Sequence, residues 1–292
     1  MKNIGLVVGE TASLPQEIIN KYQMAFVPYL VDWSEGNDLP GENIFQKMRE
    51  ADKRGIKTPP KTSQPSPWTF KKIFEEELLK SENLLCITLS SKLSGGYNSA
   101  IQARKVLTDS DQPRVHIVDC FNVSAGEGLF DLKAIDLINE GKDIEEVVKE
   151  IKKFIHNVHL FGMVEDPKWL EAGGRMSHPL AVLVRQMAKI GMRPLIGIKE
   201  GVVTSVALKM QAKDVPTALF KELQKETNEL REKGKKIKVA ITHADNPQGA
   251  QELQDLIESN LNNVEIAFVS LIDSIIGVHV GPGTIICAWC EA

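Results

Sequence analysis

Long apolar runs are missing from this sequence. A helix that crosses a bilayer needs about 20 consecutive apolar residues, and no stretch here approaches that length, so no spanning segment is expected. Basic excess is missing as well. Thirty-five Lys and Arg stand against 39 Asp and Glu, for a net charge of -4, which leaves no footprint for nucleic acid and no attraction to an anionic membrane face. Cysteine is scarce: four in 292 residues do not make a disulfide framework. Cys287 and Cys290 form a Cys-x-x-Cys, but no second pair or nearby histidine completes a zinc set, and no metal site is expected. The pair reads either as a redox motif or as two small apolar residues in a last strand. Neither a Walker A loop nor a G-x-G-x-x-G turn occurs, so nothing specifies a nucleotide. There are no internal repeats and no low-complexity segments.

What is present is ordinary globular material, 42% hydrophobic and 25% charged, which argues against disorder. The opening apolar stretch at residues 4–8 is too short for a signal-peptide core and carries no cleavage pattern; it reads as a first strand, and a cytoplasmic protein is expected. Two domains are the default at this length, divided as 1–157 and 158–292. In the first, strand patterns at 4–8, 26–31, 84–89 and 115–118 alternate with helical patterns at 15–22, 43–54, 67–80, 95–107 and 126–139. Strands apolar on both sides predict a parallel sheet covered on both faces, an α/β domain. Residues 32–41, rich in Gly, Asp and Asn, read as a loop. An amphipathic helix at 144–156 leads into strands at 158–164, 195–198, 202–208, 238–242, 264–271 and 284–289, with helices at 179–190, 214–232 and 248–260. The Glu200-Gly201 turn is a hairpin signal, so the second domain is predicted to be α+β with a largely antiparallel sheet.

Four segments gather glycine, proline and hydroxyl residues where patterned elements end. In Lys61-Thr62-Ser63-Gln64-Pro65-Ser66-Pro67, a hydroxyl followed by proline makes a helix start of Ser66 and Pro67, but that leaves Thr62, Ser63 and Gln64 unexplained. Ser94-Gly95-Gly96 follows a strand and opens a helix. It is either a plain cap or an anion site with one hydroxyl and two unobstructed amides. Gly173-Gly174-Arg175 reads as a helix end followed by a turn that presents a guanidinium, to serve as a surface charge, an internal pair or a phosphate contact. In Gly277-Val278-His279-Val280-Gly281-Pro282-Gly283, the histidine reads as a loop residue, either solvated or facing a carboxylate.

In this order and register, the four segments resemble the DegV family, which includes the carrier subunits of bacterial fatty acid kinase. The resemblance runs essentially end to end. It takes in Val118-Asp119, the run Ser124-Ala125-Gly126-Glu127-Gly128, and Arg193-Pro194-Leu195 with its Glu200-Gly201 turn. It implies a long-chain fatty acid such as palmitate, stearate or oleate between the domains, with no cofactor and no catalytic residue in this chain. Thr62 and Ser94 would bond the carboxylate with the Gly95 backbone, His279 would complete the ring, Ser63 is a further candidate, and Arg175 would meet a kinase partner or a phosphate. Three positions depart from the family pattern: Val8-Gly9-Glu10-Thr11 replaces Thr-Asp-Ser-Thr, Cys120 replaces a serine, and Lys209 and Lys213 are the nearest bases to an arginine expected after the hairpin.

Two other functions fit parts of the pattern. Ser94 as nucleophile with His279 as base would make an esterase or acyltransferase, although no G-x-S-x-G elbow and no marked orienting acid accompany them. A regulatory module with a merely structural lipid is the other.

Overall fold

The structure is a computed structural model and describes residues 2–190, 192–210 and 214–292. Met1 and Lys213 lie outside the described residues, as do the side chains of Lys2, Arg193, Pro194 and Lys209. The first half runs β1 (Lys2–Gly9), α1 (Gln16–Tyr22), β2 (Ala25–Val27), β3 (Leu30–Asp32), α2 (Ile44–Lys53), β4 (Lys61–Ser63), α3 (Pro67–Leu78), β5 (Ser81–Thr88), α4 (Gly96–Lys105), β6 (Val115–Asp119), α5 (Ala125–Asn139) and α6 (Ile144–Phe154). The second runs β7 (His159–Met163), α7 (Lys168–Ala172), α8 (His178–Lys189), β8 (Met192–Lys199), β9 (Val202–Met210), α9 (Val215–Glu232), β10 (Ile237–His243), α10 (Pro247–Asn260), β11 (Val264–Leu271), α11 (Ser274–Val280) and β12 (Ile285–Glu291). No described helix is long and apolar enough to cross a membrane.

Strands β2-β1-β5-β6 form the predicted parallel sheet. Alternate residues supply its two faces. Val7, Leu84 and Cys86 meet Phe70 and Phe74 of α3 and Ala100 of α4, whereas Leu6, Val8, Leu85 and Ile87 join the larger core on the other side. The second sheet, β11-β10-β12-β7-β8-β9, is mixed: only β10 and β11 are parallel among its paired strands. Phe161, Ile285 and Cys287 face α9 and α10; Leu160, Ile286 and Ala288 face the first half. Helix α5 lies between the two sheets and is packed on both, and no residue from 125 to 138 is exposed.

Helix starts follow their sequence signals. Ser66 Oγ accepts the Thr69 N–H at 3.1 Å ahead of Pro67, and Asp143 and Glu146 close a reciprocal capping box on α6. The Cys-x-x-Cys sits in β12, where residues three apart point to opposite faces. Cys287 lies in the core under α9 and α10 and Cys290 in the core facing α5, both buried and free, so they are packing residues and cannot bridge.

Three expectations need correction. Residues 26–31 are not one strand. Pro28 has no N–H to give a ladder, and the Tyr29 N–H bonds the Glu10 carboxylate at 3.2 Å instead. The chain therefore leaves the parallel sheet after β2, and β3 pairs with β4 in a separate antiparallel ribbon. Residues 61–63, where no strand is predicted, are the other half of that ribbon. His279 is not a loop residue either. It occupies the last turn of α11, only 7% exposed.

Candidate functional site

A cavity of about 840 Å³ of empty space, partly open to solvent, lies between the two halves. Its walls are aliphatic. Leu89 and Val123 come from the first half; Leu160, Ile196, Ile198 and Ile286 come from the inward face of the mixed sheet. Thr62, Gln64, Ser94, Arg175 and His279 also line it, and they are neighbours of one another.

Each is held by its local fold. Thr62 pairs with Val31 across the β3–β4 ribbon, and alternation along β4 turns it inward while Ser63 is exposed. His279 reaches the cavity because α11 starts firmly: the Asp273 carboxylate accepts the N–H groups of Ile275 and Ile276 at 2.8 and 2.9 Å. Gly281, at φ 80°, ends the helix immediately after. Ser94 sits on the loop after β5. There Asp119 accepts the Ser91 N–H at 3.2 Å, and Ser90 Oγ donates to the Gly201 carbonyl of the β8–β9 hairpin at 2.7 Å. Ser94 Oγ itself accepts the Gly96 N–H at 3.3 Å, which leaves its own proton free. Gly95 is at the start of α4 against Gln64, and is not itself a lining residue.

Arg175 follows the end of α7, where Gly174 adopts φ 71° and the N–H groups of Arg175 and Met176 return to the Leu170 carbonyl. Its guanidinium donates to the carbonyl of Leu93, next to Ser94, at 3.2 Å and to that of Gly173. Among the described residues no carboxylate pairs with it, and burial pulls its pKa down. It is a half-buried cation facing a cavity with no anion from the protein beside it.

Thr62 Oγ1 and His279 Nε2 are 2.8 Å apart. Burial, with the Arg175 guanidinium second, pushes the imidazole down to about 4, so at neutral pH the ring is uncharged and carries one N–H. Nδ1 is buried with no partner among the described residues, packed against Gly173, where a Cβ would approach it to 2.2 Å. Orphaned N–H groups are rarer than under-satisfied acceptors, which favours the proton on Nε2. His279 then donates to Thr62 and frees the threonine O–H for an anion. No acid orients the ring and Ser94 is not its partner, so the pair lacks the geometry of an activated nucleophile.

Thr62, Ser94, Arg175 and His279 thus share one cavity, whereas Ser63 and Gly95 do not line it. Gln64 belongs to the motif that singled out Thr62 but was not itself read as a site residue. Tyr29, also lining the cavity, had no sequence signal; its hydroxyl lies beside Gly96, where a Cβ would come within 2.4 Å of it.

A fatty acid-binding protein of Thermotoga maritima is 32% identical to this chain, over 97% of this chain and 96% of its own length. A DegV family protein from Thermus thermophilus, described for its fatty acid binding, has a structure that matches with a TM-score of 0.83 at 27% identity, covering 99% of this chain and 100% of that one. A stearic acid-binding protein from Eubacterium ventriosum shares the fold, with a TM-score of 0.83 at 20% identity over 100% of this chain and 98% of its own. The family described as "Uncharacterised protein, DegV family" matches residues 3–292, and the chain belongs to the DegV family.

Proposed function

We propose that this protein is a cytoplasmic carrier that holds one long-chain fatty acid, such as palmitate, stearate or oleate, and presents it to a fatty acid kinase for conversion to an acyl phosphate, catalysing no step itself. The observation that carries the reading is the combination in one cavity of aliphatic walls and an unpaired guanidinium flanked by neutral hydroxyls. An apolar tail and a single anionic head fit that combination; a sugar phosphate would want more cations.

The energetics allow it. A hexadecanoyl tail buried at about 0.8 kcal/mol per methylene gains roughly 11 kcal/mol gross. Ordering and lost translation remove several kcal/mol of this. The carboxylate needs partners, because a buried bare anion costs several kcal/mol. Arg175 supplies charge, and Thr62 and Ser94 supply O–H donors. His279 acts through Thr62, and the amide of Gly95 contributes at the head of α4. Ser63 is left outside this set because it is exposed.

Mass spectrometry of the denatured recombinant protein tests the first part: one fatty acid per chain is expected, and lipid-free protein from several hosts would refute it. Adding a fatty acid kinase and ATP tests the second. An acyl phosphate formed only when this chain is present supports presentation; formation at the same rate without it ends that half of the reading.

A further inference from the structure

We propose that Gly162 is a specificity-determining residue, whose missing side chain makes the groove in which the acyl tail crosses the mixed sheet. The inference rests on the lipid-binding reading above and deepens it. Gly162 is interior to β7, flanked in register by Ile286 of β12 and Ile196 of β8. Leu160, two residues earlier on β7, and Val164, just past its end, flank it along the chain. All five line the cavity. One hydrogen atom therefore stands at the centre of four branched apolar side chains.

Glycine weakens a strand interior and marks a place where something must come close. The backbone does not demand it here, since Gly162 is not among the positive-φ residues. Space does. A Cβ would lie 2.9 Å from the Ile285 carbonyl oxygen and 3.1 Å from Ile286 Cγ1. The nearest of these atoms belongs to the β12 backbone, so even one methyl requires β12 to shift, and a larger side chain would also take up space that the five residues line. The depression is one side chain deep and ringed by apolar side chains, which suits methylenes.

The test compares octanoic and palmitic acids by displacement of a fluorescent fatty acid from wild type, Gly162→Ala, Gly162→Val and Ile196→Ala, each checked for a native circular dichroism spectrum. Displacing about two methylenes from the wall weakens binding roughly tenfold to twentyfold. Gly162→Val is expected to lose about that factor for palmitic acid and little for octanoic, whose tail is half as long. Gly162→Ala falls between, and Ile196→Ala, which widens the groove, shifts preference towards a methyl-branched acid over palmitic. A merely structural role would weaken both straight-chain acids alike, and that result in a folded variant overturns the proposal. Should Gly162→Val not fold, unchanged acid preferences in both Gly162→Ala and Ile196→Ala overturn it equally. Wild-type protein that binds neither acid would instead refute the lipid reading itself.

Discussion

Thr62, on a two-stranded ribbon of the first half, and His279, on the last turn of a helix 217 residues later, meet in a 2.8 Å hydrogen bond. The bond crosses the cavity between the halves, and it turns a threonine that would otherwise be one more hydroxyl into an oriented donor.

Thr62→Val and His279→Leu should each weaken fatty acid binding by roughly tenfold, on the scale of about 1–3 kcal/mol for a buried group left without its partner. Since the histidine acts through the threonine, the double variant should lose less than the sum of the two. Isothermal titration with palmitate reads this directly. Full additivity would mean that His279 touches the ligand independently.

Acid should destabilise the protein through His279. Its ordinary value is 6.5 and its native value about 4. Between these the unfolded chain holds a proton that the native ring refuses, so stability falls as pH drops through that window, by up to about 1.4 kcal/mol per pH unit. His279→Gln should flatten that part of the profile in urea melts. A slope unchanged by the substitution would assign it to other groups.

Asp131 acts with the opposite sign. It is fully buried on α5, and neither carboxylate oxygen has a partner among the described residues. Burial lifts its pKa well above 3.8, so the native state keeps the proton where the unfolded chain releases it, and stability falls as pH rises above that value. Asp131→Asn should remove up to about 1.4 kcal/mol per pH unit of this loss. The variant should gain on wild type as pH rises above 3.8, and parallel profiles would show Asp131 ionised in the native state.

Arg175→Gln tests the guanidinium twice. Fatty acid retention should drop about tenfold or more with the loss of the charge-assisted contact, and the His279 ring should titrate higher, because the neighbouring cation contributes to its depression. NMR of the ring protons separates this from a loss of packing. Arg175→Lys should restore the titration but only part of the binding, since one ammonium does not reproduce a fork that spans the Leu93 and Gly173 carbonyls.

Much of this was legible in the sequence, for identifiable reasons. The central strands β1 and β5 are buried on both faces over residues 4–8 and 84–88, and that shows as unbroken apolar runs. Ser66-Pro67 and the Asp143 box mark their helices because capping is local chemistry. Thr62 is marked as a hydroxyl that the Ser66-Pro67 cap leaves unexplained, Ser94 and Arg175 as residues beside glycine pairs at element ends, although local pattern alone leaves their roles open. The failures have a different origin. Strand β4 is three residues of Lys, Thr and Ser with no apolar face, formed because β3 lies alongside. Helix α11 is seven residues ending at a glycine, too short for a periodic signal, and it forms on its Asp273 cap and the packing of Gly277 against Phe45. Tyr29 owes its position to Pro28 and Glu10, a relation between distant residues that no local pattern records.

Helix α5 packs against both sheets, and that governs how the molecule comes apart. Each sheet borrows its inner wall from the same helix, so cutting the chain after residue 157 would leave the C-terminal fragment with Leu160, Ile286 and Ala288 facing water. Neither piece is expected to fold alone, and a single calorimetric transition would be the signature of such shared ownership.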